Sequence, residues 1–140
     1  MINVLYVGGN KTGIPEIADS DIQLDYVQNG MIALSAAQSN EFDAIIIEDQ
    51  LPLMTPTRLL QEFNKINSGT PIICITRSNE RKKNLLNDYG LGLFGYFDPS
   101  SYDIEELVDL LKYAKDFHQF RKKVPRTAAR HFNGLGFEKV

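Results

Sequence analysis

The sequence contains a single cysteine, no apolar run long enough to span a bilayer, and no charged segment followed by an apolar one at its start. One cysteine cannot close an internal disulfide, which predicts a reducing, cytoplasmic setting. Cys74 sits in the run PIICIT and reads as a small core residue. The most apolar stretch, around Ala44–Ile47, falls far short of the roughly 20 residues that a transmembrane helix requires, so no membrane contact is expected. Nothing at the start predicts secretion. The two histidines, His118 and His131, stand apart from any cluster of ligands, so no metal and no cofactor are assigned.

What is present suffices for one domain with a core. The chain has 140 residues, 43% of them hydrophobic and 24% charged. Its net charge of −3 is spread unevenly. Residues 1–120 carry 9 Lys and Arg against 17 Asp and Glu, a balance of −8, while residues 121–140 carry 6 against 1, a balance of +5. An acidic body with a basic tail predicts a domain over 1–120 and a linker or interaction segment over 121–140. Pro125, Gly134 and Gly136 break any period there. The tail shows no helix-turn-helix, no zinc spacing and no stacking platform, so direct nucleic-acid binding is not expected.

Five apolar runs punctuate the body: Ile2–Val7, Ile22–Val27, Ala44–Ile47, Pro71–Thr76 and Leu93–Phe97. Runs such as AIII and PIICI are apolar at every residue, the pattern of strands covered on both faces. Between them lie segments of helical spacing: Ile32, Ala33, Ala36 and Ala37; Leu59, Leu60, Phe63 and Ile66; Leu85 and Leu86 within Asn79–Tyr89; and Ile104, Leu107, Val108 and Leu111, with Ser101 as a cap. This alternation predicts a doubly wound α/β domain on a five-stranded parallel sheet. Only a shortened first helix fits between Gly9 and Ile22, where Pro15 confines its start.

The opening MINVLYVGGNKTG has a strand running into a glycine-rich loop, so a phosphate cradle has to be tested. Gly8, Gly9 and Gly13 do not match the dinucleotide spacing G-x-G-x-x-G. Gly13 is followed by Ile14 and Pro15, so the lysine of a P-loop is missing. A small nucleotide-binding α/β protein is therefore the weakest of three readings. Ligands of open α/β sheets sit beyond the carboxyl ends of the strands. The residues predicted to meet there are Gly8, Gly9 and Asn10, then Glu48 and Asp49, then Thr76 and Arg77, and finally Tyr96 to Asp98.

Those positions carry a resemblance. FDAIIIEDQLPLM resembles the third strand and loop of the response-regulator receiver (CheY-like) family, in which an aspartate stands four residues before a proline. NGMIALSAA, PIICIT, GLFGYF and EELVDLLK resemble the family's second helix, fourth strand, fifth strand and last helix, in order, over residues 2–118. The resemblance implies the flavodoxin-like receiver fold, a role in two-component signal transduction and no enzymatic activity. It implies a phosphoryl acceptor at Glu48, whose distance to Pro52 matches; Asp49, one residue on, is the alternative. It places the Mg²⁺-holding acidic pair on Gly8 and Gly9, the hydroxyl switch on Thr76 and the aromatic switch on Tyr96. The lysine that would precede Pro99 is replaced by Asp98. Glycines supply no side-chain oxygen to a hard cation, and transfer of a phosphoryl group needs positive charge.

The expectation is a degenerate receiver that regulates an output, transcription, without phosphorylation, through dimerisation or protein docking. The alternative is a conventional receiver phosphorylated on Glu48 or Asp49. Arg77 is either a substitute for the lysine, reaching Glu48 or Asp49, or a solvated side chain. Thr76 and Tyr96 are either a switch pair or ordinary packing. The last helix has a second apolar set, Leu110, Tyr113, Phe117 and Phe120, which predicts a protein partner, most simply a second copy, unless the helix only covers its own domain. Arg81, Lys82 and Lys83 on the fourth helix are either charge pairs across such an interface or, the preferred reading, a solvated face. HFNGLGFEKV resembles the lead into the ATPase domain of enhancer-binding (NtrC-type) transcription activators.

Overall fold

A computed structural model of the chain describes residues 1–10, 15–66, 69–76, 93–98 and 103–123. Its elements are β1 (Ile2–Val7), β2 (Ile22–Val27), α1 (Gly30–Ser39), β3 (Ala44–Glu48), α2 (Pro56–Ile66), β4 (Ile72–Ile75), β5 (Leu93–Phe97) and α3 (Ile104–Lys123). The five strands form one parallel sheet in the order β2-β1-β3-β4-β5. This is the doubly wound α/β architecture that the apolar runs predict, and it places a crevice at the carboxyl ends of β1 and β3, where the strand order reverses.

Strand residues alternate between two cores. Leu5, Val7, Ile45, Ile47, Ile72 and Cys74 face α1 and α2, meeting Ala33, Leu59, Leu60 and Phe63. Val4, Tyr6, Ala44, Ile46, Ile73 and Ile75 face α3, meeting Leu107, Leu111 and Ala114. Both faces are covered, which is why β3 and β4 tolerate no polar residue before their last position. Asn29 caps α1 by accepting the Ile32 N–H at 3.0 Å. Ala33, Ala36 and Ala37 pack inward as expected, but Ile32 is 42% exposed: the buried line of α1 runs through Gly30 and Ala33, and Ile32 lies off it.

The shortened first helix does not appear in the described residues between β1 and β2. Residues 15–21 are irregular, Ile17 packs on the α3-side core, and Asp19 reaches Lys112 of α3 at 3.5 Å. The expected helix over Asn79–Tyr89, its basic residues Arg81, Lys82 and Lys83, and the Ser101 cap lie outside the described residues.

Two local features were not legible beforehand. β5 pairs Ile72 with Leu93 but Ile73 with Gly95, so Phe94 is the extra residue of a bulge. The bulge turns Phe94 towards α3, where its ring meets Tyr113 at 5.6 Å and Phe117 at 5.3 Å. α3 continues through Lys123, past residue 120, and its buried line Leu107, Leu111, Ala114 ends in His118, 4% exposed. The isolated polar residue of the sequence is thus a core residue. Its hydrogen bond is to the backbone of Gly69, and Nε2 has no partner among the described residues.

Burial holds the His118 imidazole below its ordinary value; the Gly69 backbone bond and Asp43 act in the opposite sense, and Arg121 adds to the lowering. The unfolded chain therefore binds a proton that the fold excludes. Stability is unaffected above the ordinary histidine value of about 6.5 and is lost as pH falls from there through the lower folded value, with a limiting slope of about 1.4 kcal/mol per pH unit. Urea midpoints of the native chain and His118→Gln, compared between about pH 7 and pH 5, should diverge, the native chain losing more. Parallel curves would remove the assignment.

Candidate functional site

β1 ends at Val7, opposite Ile47, so the next step along both strands puts Gly8 beside Glu48. Gly8 is buried, while Gly9 and Asn10 are exposed. A Cβ built on Gly8 would lie 2.5 Å from Glu48 Oε1, 2.7 Å from its Cδ and 3.0 Å from Tyr6 Cε1. The Glu48 carboxyl group thus occupies the volume that any side chain at position 8 would need. One on Gly9 would lie 3.1 Å from Pro52 Cδ. The glycines permit close approach of the β3 side chain and its loop.

Glu48 is held from below. The Tyr6 hydroxyl donates to Oε2 at 2.6 Å. Tyr6 is fully buried, and its ring stacks on Tyr26, with centroids 6.3 Å apart. The Tyr26 hydroxyl donates to the Gly8 carbonyl at 2.6 Å. Two tyrosines on adjacent strands therefore fix both partners of the Gly8–Glu48 contact. Neither was singled out from sequence, because an aromatic in an apolar run looks like packing. The weak signal available was their identical position, fifth in both β1 and β2, which pairs them in register.

Asp49 goes the other way. Its N–H donates to Ile75 O at 3.0 Å, and its Oδ2 accepts from the fully buried Thr76 hydroxyl at 3.0 Å. Consecutive residues leaving a strand point to opposite faces, so Glu48 is committed to β1 and Asp49 to β4. Tyr96 packs, half-buried, on the α1–α2 core, and Asp98, 2% exposed, stands where the resemblance places the lysine. Arg77 lies outside the described residues. Beyond β3 the chain turns sharply at Leu53, whose φ is 70°, with Met54 N–H donating to Pro52 O at 2.8 Å. This left-handed turn at a non-glycine residue is strained and lies beside the site.

Mg²⁺ takes near-octahedral oxygen ligands at about 2.0–2.1 Å. Here two carboxylates are tied to different neighbours, and position 8, filled by Glu48, brings no side-chain oxygen. Among the described residues no group of three His, Cys, Asp or Glu is placed to hold a metal. The donor set does not fit the divalent site that the resemblance implies.

The second apolar set of α3 is on the surface to differing degrees. Leu110 is half-buried over Gly95, where a Cβ built on the glycine would lie 3.6 Å from its Cδ1, whereas Tyr113, Phe117 and Phe120 are 65%, 37% and 51% exposed. With Phe94 they form an aromatic face along β5 and α3. No helix of the described residues is long and apolar enough to cross a membrane.

No family model matches the chain. It is 31% identical over 98 residues, 69% of its length, to a protein of Porphyra purpurea named probable transcriptional regulator ycf29. It spans less than half the length of the curated relatives it matches, 46% and 43%. Among solved structures it is similar to the receiver domain of the Francisella response regulator 1452, with a TM-score of 0.68 at 24% identity, over 83% of this chain and 98% of that one. It is also similar to the chemotaxis response regulator CheY4 of Vibrio cholerae, with a TM-score of 0.70 at 22% identity, over 81% of this chain and 98% of that one. With its sheet order and its crevice, the chain has the α/β fold of a response-regulator receiver domain of the CheY-like kind.

Proposed function

We propose that this chain is a receiver-type module of two-component signalling that regulates a transcriptional output without being phosphorylated. One observation carries the reading: the Glu48 carboxyl group fills the space of a side chain at position 8 and is bonded to Tyr6. Phosphoryl transfer runs through charge neutralisation by a metal and a cation at the reacting oxygens. In this pocket an acidic ligand has given way to Gly8, the acceptor position carries a longer and already bonded Glu48, and Asp98 stands in the place of the lysine. A fixed carboxylate at the sheet edge leaves the module in one arrangement, set by folding.

The output is read from the relatives, which are named probable transcriptional regulator ycf29 and are more than twice as long as the matched part. In this reading a receiver precedes an effector, and the segment after Lys123 is the connection to it. An effector of the enhancer-binding type would follow from HFNGLGFEKV, which lies outside the described residues. The receiver would act by protein docking or dimerisation on the face of Tyr113, Phe117 and Phe120, with Leu110 beneath.

A second reading has one observation in its favour. Asp49 is hydrogen-bonded to Thr76, and a carboxylate beside a buried hydroxyl is how a receiver would sense a phosphoryl group. One experiment separates the two. The chain is incubated with acetyl phosphate and Mg²⁺, then examined by intact mass and sedimentation velocity. The expected result is no phosphoryl adduct and a dimer indifferent to the phosphodonor. An adduct abolished by Asp49→Asn or Glu48→Gln would establish the conventional switch, and a monomer throughout would remove dimerisation.

A further inference from the structure

At the edge of the sheet away from Glu48, the first residues of β4 and β5 open onto a cavity of about 320 Å³. Small-ligand pockets start at roughly this volume. Phe63 of α2, Phe94 of the β5 bulge and Phe117 of α3 line it, together with Thr70, Asn64 and Arg121. Its chemistry is one-sided: three aromatic rings, one guanidinium and no carboxylate among the described lining residues. The guanidinium carbon of Arg121 lies 5.8 Å from the centroid of the Phe117 ring. Stacking of this kind fixes a planar cation and leaves its N–H fork available to a carboxylate.

We propose that this cavity binds a small aromatic carboxylate, its ring among Phe63, Phe94 and Phe117 and its carboxylate on Arg121. Each half of the ligand meets its complement. The rings take an apolar plane, the cation selects an anion, and an uncharged analogue would forgo the cation. The site is independent of the Glu48 pocket, so it stands whether or not the chain is phosphorylated. It also has a route to the surface. Phe94 and Phe117 line the cavity and form the aromatic face with Tyr113. A ligand that moves either ring alters that face, which gives the module a chemical input.

The test is a ¹H–¹⁵N titration of the full chain with phenylacetate, with phenylacetamide as the neutral match. Saturable shifts are expected at the amides of Gly69, Thr70, Leu93 and Phe94, with millimolar affinity, as suits a ligand of few atoms. Phenylacetamide, and phenylacetate on Arg121→Gln, should bind up to about fivefold more weakly, the upper end of what one exposed ion pair contributes. Arg121 is exposed, so this variant keeps the fold, which an unchanged spectrum away from the cavity verifies. Absence of saturable shifts at these amides, or equal binding of the acid and the amide, would overturn the proposal. Unchanged affinity in Arg121→Gln would do the same.

Discussion

Tyr6→Ala is expected to lower the unfolding free energy by about 3–5 kcal/mol, the range for truncating a large buried aromatic side chain. Tyr6 is fully buried between the strands and α3, packs with Ile46 and Leu111 in one core, and stacks on Tyr26. Removing the ring opens a cavity that rigid strands on both sides cannot close. Tyr6→Phe separates packing from hydrogen bonding. It keeps the ring and deletes the 2.6 Å bond to Glu48, which should cost about 1–2 kcal/mol, since the acceptor is a carboxylate only part-buried. Denaturant midpoints at constant m-value measure both. A neutral Tyr6→Phe would mean that the tyrosine does not anchor Glu48, and the account of a fixed carboxylate would fall with it.

Gly8→Ala should destabilise by about 1–3 kcal/mol, although alanine is small and the site is at a strand end. The added Cβ would lie 2.5 Å from Glu48 Oε1 and 3.0 Å from Tyr6 Cε1. The carboxylate can swing away only by giving up its tyrosine, and the fully buried ring has nowhere to go. Glu48→Ala removes the first obstacle. In that background the cost of Gly8→Ala should drop below about 1 kcal/mol, and the double-mutant cycle should return a coupling of about 1–2 kcal/mol. Two additive substitutions would show that the glycine and the glutamate do not share one volume. The same logic makes Gly8→Asp compatible with Glu48→Asp and not with native Glu48, because shortening the acceptor side chain vacates the space.

These two expectations bear on how far the site was readable in the sequence. The run AIIIE and the distance from Glu48 to Pro52 place an acidic residue at the carboxyl edge of β3 from sequence alone. Gly8 and Gly9 are equally plain as positions without ligands. Tyr6 was not readable, because a tyrosine in INVLYV has the pattern of core whether its hydroxyl is idle or bonded across to a residue 42 positions away. His118 escaped for the converse reason. Counting apolar residues on α3 ends the stripe early, whereas the helical period carries it through Ala114 to a buried imidazole. The bulge at Phe94 depends on how β5 seats against β4, and no turn residue announces it.

The amino-acid sequence by itself determined the order of the five strands along the chain, the helices that follow β2, β3 and β5, the buried character of the sheet and the absence of side chains at 8 and 9. Those follow from local periodicity and composition, which the chain carries at every point. Tertiary structure alone decided that Glu48 turns to Tyr6 while Asp49 turns to Thr76, and that a carboxyl group fills the place left by Gly8. The physical reason is register. Which side chains share a few cubic ångströms at the sheet edge depends on how β1, β3 and β4 align with one another, and a shift of one residue would exchange the faces of both acids.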